Sequence, residues 1–148
     1  MRSVRDDSGK RYLLLKQSGE SSRVRDPETG DVQYVPNERL EPADGESPLT
    51  TAARAVPASV RTLVTAVHDD RALGLLVDLH ARGPLGVRTL LAAYDLCESD
   101  LHGLLGEFRA AGLLRETTVA GERGYETTDT ADEALAALGV TTDGEVDE

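Results

Sequence analysis

His68, Asp69, Asp70, His80 and His102 have the side-chain types of a metal site, but their spacings match no ligand pattern and no paired thiols accompany them. They read as helix-capping acids and surface histidines. Cys97 is the sole cysteine, so an internal disulfide and a four-thiolate site are excluded. It falls at the expected start of a helix, where the helix dipole would lower a thiol pKa and suit a redox or thiophilic-metal switch. Glu98 and Asp100 oppose that shift, and the plainer reading is a small, partly buried packing residue. The sequence holds no glycine loop to cradle phosphate, no nucleophile and base in a recognisable constellation, and no carboxylate pair in a catalytic context. Neither an enzyme nor a cofactor is expected. The chemistry that remains is that of guanidinium groups. Arg88, Arg109, Arg115 and Arg123 fall in or at the ends of predicted helices and on a predicted hairpin, where they can touch phosphate. The alternative is that they pair with Glu107, Glu116 and Glu122 on a solvated surface.

The charge balance bears on that alternative. The chain of 148 residues has 27 acidic and 16 basic groups, a net charge of -11, which at face value argues against a nucleic-acid partner. The deficit is uneven: residues 1–40 carry 8 basic and 7 acidic groups, 41–70 carry 2 and 5, 71–128 carry 6 and 8, and 129–148 carry 0 and 7. Lys10 and Lys16 are the only lysines. This arginine-based, acid-rich composition resembles that of proteins from salt-in halophiles, where the Debye length falls to roughly 3 Å at molar salt and like-charge repulsion is screened. An acidic mesophilic protein is the alternative. Aromatics are 3% of the chain against 39% hydrophobic residues, so the core must be built of Leu, Val and Ala, which suits helices. No apolar run approaches the ~20 residues of a membrane span, and the first residues lack the apolar stretch of a signal peptide. A soluble, cytoplasmic protein is expected.

The elements that must position these side chains follow from periodicity. Residues 1–40 read as a small β-hairpin element of two or three strands: Arg11 to Lys16, then Ser22 to Arg25 and Asp31 to Val35 around the turn at Pro27 and Gly30. Residues 41–56, with Pro42, Gly45 and Pro48, read as a linker. After Pro57, Val60, Leu63, Val64 and Val67 recur at i, i+3, i+4 and i+7, predicting a helix to about His68 whose apolar stripe needs a partner surface. Asp69 and Asp70 cap a helix over 71–81 that buries Leu73, Leu76, Val77 and Leu79, and Gly83-Pro84 stops it. A short helix over 85–93 turns Val87, Leu90 and Leu91 inward. A turn at Tyr94 to Leu96 precedes a third helix, marked by Leu101, Leu104, Leu105 and Phe108 and closing at Gly112. Residues 113–119 and 125–128 form a hairpin around a polar tip at 120–124. Thr130 to Glu133 is a capping box for a last helix ending at Gly139, and 140–148 is an acidic disordered tail with nothing to bury. Three helices with a tight turn before the last, followed by a hairpin, make a winged helix-turn-helix over 57–139 within an α+β chain.

Gly86-Val-Arg-Thr-Leu-Leu91, the run from Leu96 to Leu114 with its Arg109-Ala-Ala-Gly-Leu-Leu closure, Gly124-Tyr-Glu-Thr-Thr128 and Glu133-Ala-Leu135 resemble winged helix-turn-helix transcription regulators of the ArsR, MarR and PadR kind. The resemblance covers about Arg71 to Leu138, and the whole chain also resembles small winged-helix proteins of halophilic archaea. It implies a homodimeric regulator bound to double-stranded DNA, with a recognition helix at about Glu98 to Gly112 and a wing at about Leu113 to Thr128. On that comparison Ser99, His102, Gly103 and Arg109 on the recognition helix join Arg88, Arg115 and Arg123 as the DNA-contacting set. Val60, Leu63, Val64 and Val67 are expected to make the twofold dimer. The sequence departs from the family on the central outward face: Glu98, Ser99, His102, Gly103 and Gly106 stand where the family commonly has Gln, Ser, Ser, Arg and Lys. The arginine that most often reads guanine is missing there. Gly103 and Gly106 could bring the helix backbone close to DNA, or accept another helix in a transcription or chromosome-associated assembly.

Overall fold

The computed structural model describes residues 1–141, and the chain divides into two compact units, residues 1–57 and the residues from Ala58 onward. The first unit is more than a hairpin. Strands β1 (Arg2–Arg5), β2 (Arg11–Gln17), β3 (Ser21–Arg25), β4 (Val32–Pro36) and β5 (Glu41–Pro42) form an antiparallel sheet in the order β4-β3-β2-β1-β5. One face buries Val4, Tyr12, Leu14, Val24 and Val35. The stretch expected to be a linker is structured too, because Ser47-Pro48 is a helix start as well as a loop signal. Helix α1 (Pro48–Ala52) has Ser47 as its cap, accepting from the Leu49 amide at 3.1 Å, and Pro48 in its first turn, where a missing N–H is harmless.

What ties α1 to the sheet is polar. Thr51 is fully buried and shares a 2.6 Å hydrogen bond with Ser3 of β1. Glu46 accepts from the Thr51 hydroxyl and pairs with Arg11 at 3.0 Å and Arg54 at 3.4 Å. The Thr51 hydrogen bond and the two guanidinium groups together hold the Glu46 carboxyl at a pKa of about 2, although burial opposes them.

The second unit contains α2 (Ala58–Ala66), α3 (Asp70–Arg82), β6 (Leu85–Gly86), α4 (Val87–Ala93), α5 (Glu98–Ala110), β7 (Leu114–Val119), β8 (Glu122–Thr127) and α6 (Asp129–Ala137). The helix-helix-helix-hairpin order over α3 to β8 is a winged helix, so the chain is α+β as expected. Asp69 caps α3 by accepting from the Ala72 amide at 2.9 Å. The face that α3 buries is Ala72, Leu75, Leu76 and Leu79, with Leu73 and Val77 half-buried at its edge. Phe108, Leu101 and Leu105 of α5 join Leu90 and Leu135 in the same apolar cluster. Helix α5 closes at Gly112, whose φ of 81° suits glycine, with Leu113 N–H donating to Phe108 O at 2.8 Å.

Several boundaries differ from the sequence reading. Leu85 and Gly86 are not helical: they pair with Tyr125 and Gly124 and complete a sheet of order β6-β8-β7. That pairing requires a glycine at 124, where a Cβ would stand 2.7 Å from the Leu85 carbonyl oxygen. The wing tip is a two-residue turn at Ala120-Gly121, both at positive φ, so the wing strands run longer than expected. The last helix is capped by Thr128, accepting from the Ala131 amide at 3.4 Å, two residues ahead of the expected capping box. Val140 packs on the core instead of standing free, and the tail from residue 142 lies outside the described residues.

The expected dimerisation stripe also changes meaning. Helix α2 packs on α6, and Val60 and Leu63 are 7% and 3% exposed within the core that includes Ala131, Ala134 and Leu135. Val67, just past the helix end, is half-buried against the same core. The periodicity marks burial, and the partner is the chain's own last helix. Val64, 59% exposed, is the member of the stripe left on the surface.

Candidate nucleic-acid interface

Helix α5 presents a bare face. Ser99, His102, Gly103 and Gly106 are all exposed, and a Cβ added at either glycine would meet nothing within 4 Å. No packing among the described residues therefore requires glycine at these two positions, each of which costs a helix about 1 kcal/mol relative to Ala. The face is acidic. Glu98, Asp100 and Glu107 are exposed on the same helix, Glu98 standing 3.7 Å from His102 and Glu107 3.9 Å from His68.

Cys97 is exposed at the start of α5, its Sγ 3.3 Å from Ser99 Oγ, so the reading of a partly buried packing residue does not hold. His80 is likewise no surface histidine: its side chain is buried, with Nδ1 2.7 Å from Asp132, whose carboxylate also accepts from Thr127. The three histidines thus lie apart, each beside one carboxylate, and no group of three potential ligands occurs among the described residues.

The four arginines fall into two situations. Arg88, in the first turn of α4, is exposed and its guanidinium has no partner among the described residues. Beside it, Glu122 of the wing accepts from the Arg88 backbone N–H at 3.3 Å, so a carboxylate already occupies the start of α4. Gly86 makes room for this, since a Cβ there would lie 2.8 Å from the Glu122 side chain.

Arg109 at the end of α5 and Arg123 on β8 both reach Glu116 of β7, at 3.5 and 3.4 Å, and the Tyr125 hydroxyl donates to the same carboxylate at 3.4 Å. Arg115 pairs with Glu126 directly across the wing at 2.8 Å, and that carboxylate pushes the guanidinium pKa further up. Of the three carboxylates named from the sequence as partners, Glu116 takes the role, Glu107 pairs with His68 and Glu122 with a backbone amide. Glu126 was missed. A two-residue turn at Ala120-Gly121 sets the register Arg115 to Glu126 and Glu116 to Tyr125, so the signal was present once the turn was placed correctly.

Among the described residues no helix is long and apolar enough to cross a membrane. Among solved structures, the crystal structure of the transcriptional regulator HlyU from Vibrio vulnificus CMCP6 is similar to this chain at 25% identity and a TM-score of 0.48, covering 58% of this chain and 90% of that one. No curated protein matches the chain. A sequence profile matches residues 1–139, the sheet unit and the winged helix together, and the chain belongs to the family it describes, the Family of unknown function (DUF7346).

Proposed function

We propose that the chain is a non-enzymatic, DNA-binding regulator of transcription that acts in the cytoplasm as a homodimer, with α5 facing the major groove and the wing along the backbone. The observation that carries this reading is the bare outward face of α5, directly followed in the chain by a projecting hairpin with arginines on both strands. Ser99 and His102 supply hydrogen-bonding groups, and the unfilled space over Gly103 and Gly106 lets the helix backbone approach the bases. Arg88 is available for a phosphate as it stands. Exposed arginine-carboxylate pairs are worth about 0–1 kcal/mol, so phosphates can take Arg109, Arg115 and Arg123 from Glu116 and Glu126 at small cost. Val64 is the side chain of the apolar stripe able to meet a second copy.

The test is a titration of the full chain against duplex DNA from upstream of its own gene and against random duplex, from moderate to molar KCl. A preference for the upstream DNA is expected, and equal affinity for both would sink the reading. The carboxylates Glu98, Asp100 and Glu107 on α5 favour a second reading, a winged helix that binds a protein partner in a transcription or chromosome-associated assembly. The Arg115→Ala, Arg123→Ala double variant separates the two. Weaker DNA binding with a shallower salt dependence supports the first; an unchanged partner complex without any DNA binding supports the second.

A further inference from the structure

Strands β1 to β4 carry Arg2, Arg5, Arg11, Lys16, Arg23 and Arg25 and not one of the chain's 27 acidic residues. Most cations of this unit are matched: Arg5 to Glu41, Lys10 to Asp26, Arg11 and Arg54 to Glu46, and Arg39 to Asp7. Lys16, Arg23 and Arg25 have no carboxylate partner among the described residues. The strand register puts all three on one face. Lys16 pairs with Arg23 and Arg23 with Tyr34 in one row; Leu13 pairs with Arg25 and Arg25 with Val32 in the next. Residues directly opposite one another in antiparallel strands point to the same side, with Cβ atoms about 5 Å apart.

Lys16 is on this side because of a bulge. Regular alternation from Leu14 would turn it to the apolar face, but the register shifts between Leu14 and Lys16 and re-aims it at Arg23. Helix α1 packs on β1 and β2, where Leu13 is buried; on the rest of the face Lys16 and Arg23 are exposed, Arg25 is half-buried, and Tyr34 is 65% and Val32 45% exposed. Three cations with no carboxylate partner among the described residues, Arg23 directly opposite the exposed Tyr34, Arg25 diagonal to it and Lys16 one strand beyond Arg23, in a chain of net charge -11, form a surface complementary to phosphates with an unpaired base beside them. A ring standing on a sheet face can stack on such a base, whereas the bases of a duplex are already stacked on one another.

We propose that the outer face of β2 to β4 binds single-stranded nucleic acid, with Lys16, Arg23 and Arg25 on its phosphates and the Tyr34 ring against a base. This is independent of duplex binding by the winged helix. The experiment is fluorescence anisotropy of a labelled oligothymidylate of about 15 nucleotides with the full chain, across KCl concentrations at which circular dichroism shows the folded protein. Three phosphate contacts on a single strand predict a slope of log affinity on log salt of about -2, falling to about -0.7 in Arg23→Ala, Arg25→Ala. Tyr34→Ala is expected to weaken binding about tenfold and Tyr34→Phe to restore it, because stacking needs the ring and not the hydroxyl. The Arg115→Ala, Arg123→Ala variant should bind the oligonucleotide as the parent does. Absence of binding, or face variants that bind like the parent, would overturn the proposal. So would equal competition by duplex DNA, which would show that no unpaired base is read, or by polyglutamate, which would make the face a site for acidic protein.

Discussion

On the outer face of β2 to β4, Lys16, Arg23 and Arg25 have no carboxylate partner among the described residues, whereas the wing and the end of α5 hold Arg109, Arg115 and Arg123 against Glu116 and Glu126. The two surfaces have the same side-chain chemistry and different readiness. A phosphate arriving at the sheet face meets bare charge, while one arriving at the wing must displace a carboxylate that stays nearby and repels it. The sheet unit reaches this arrangement by holding Glu46, just ahead of α1, between Arg11 and Arg54 and keeping acids out of its first four strands. The wing does the opposite and sets Glu116 and Glu126 directly among its arginines. Positive charge in this chain is therefore best judged by partner, not by count.

The largest effect is expected at Glu46. Its folded pKa of about 2 lies below the ordinary carboxylate value of 4.5, so its stabilising contribution is fully present above about pH 4.5 and is lost as pH falls toward 2. Glu46→Gln should lower the stability of the sheet unit at neutral pH by on the order of 2 kcal/mol and flatten its acid transition, measured by denaturation at a series of pH values. An unaltered acid transition would mean that Glu46 is not the centre of this unit.

A smaller effect is expected at Gly124. Gly124→Ala forces a Cβ against the Leu85 carbonyl and should cost about 1–3 kcal/mol, read as a lower midpoint for the winged-helix unit with the sheet unit unchanged. Smaller still, Glu116→Gln should change stability by less than about 1 kcal/mol while strengthening duplex binding several-fold, because it frees Arg109 and Arg123 and removes the repelling charge. Weaker binding by that variant would show that Glu116 organises the wing for DNA instead of opposing it.

Much of the winged helix was legible in the sequence because its information is local. The Asp69 cap, the closure of α5 at Gly112 and the inward face of Leu101, Leu105 and Phe108 follow from spacing alone. What escaped depended on partners far along the chain. Strand β1 is four residues long with a single apolar residue, Val4, to mark it; it pairs with the adjacent β2 on one side and, on the other, with the two-residue β5 about forty residues later through Val4 and Pro42. The stripe of Val60 and Leu63 announced burial without saying against what, and the answer was α6. The arginines were legible as types, and Glu116 as a partner for them; Glu126 was not, because moving the wing tip from 120–124 to Ala120-Gly121 is what sets it opposite Arg115.

Duplex recognition by the winged helix is tested most directly by a hydroxyl-radical footprint of the full chain on duplex DNA from upstream of its own gene, repeated with Arg115→Ala, Arg123→Ala. A homodimer with α5 in the major groove leaves two protected patches about 34 Å apart, one turn of the double helix, which fade together in the double variant. Uniform protection along the duplex, or a footprint that the double variant leaves intact, would contradict it.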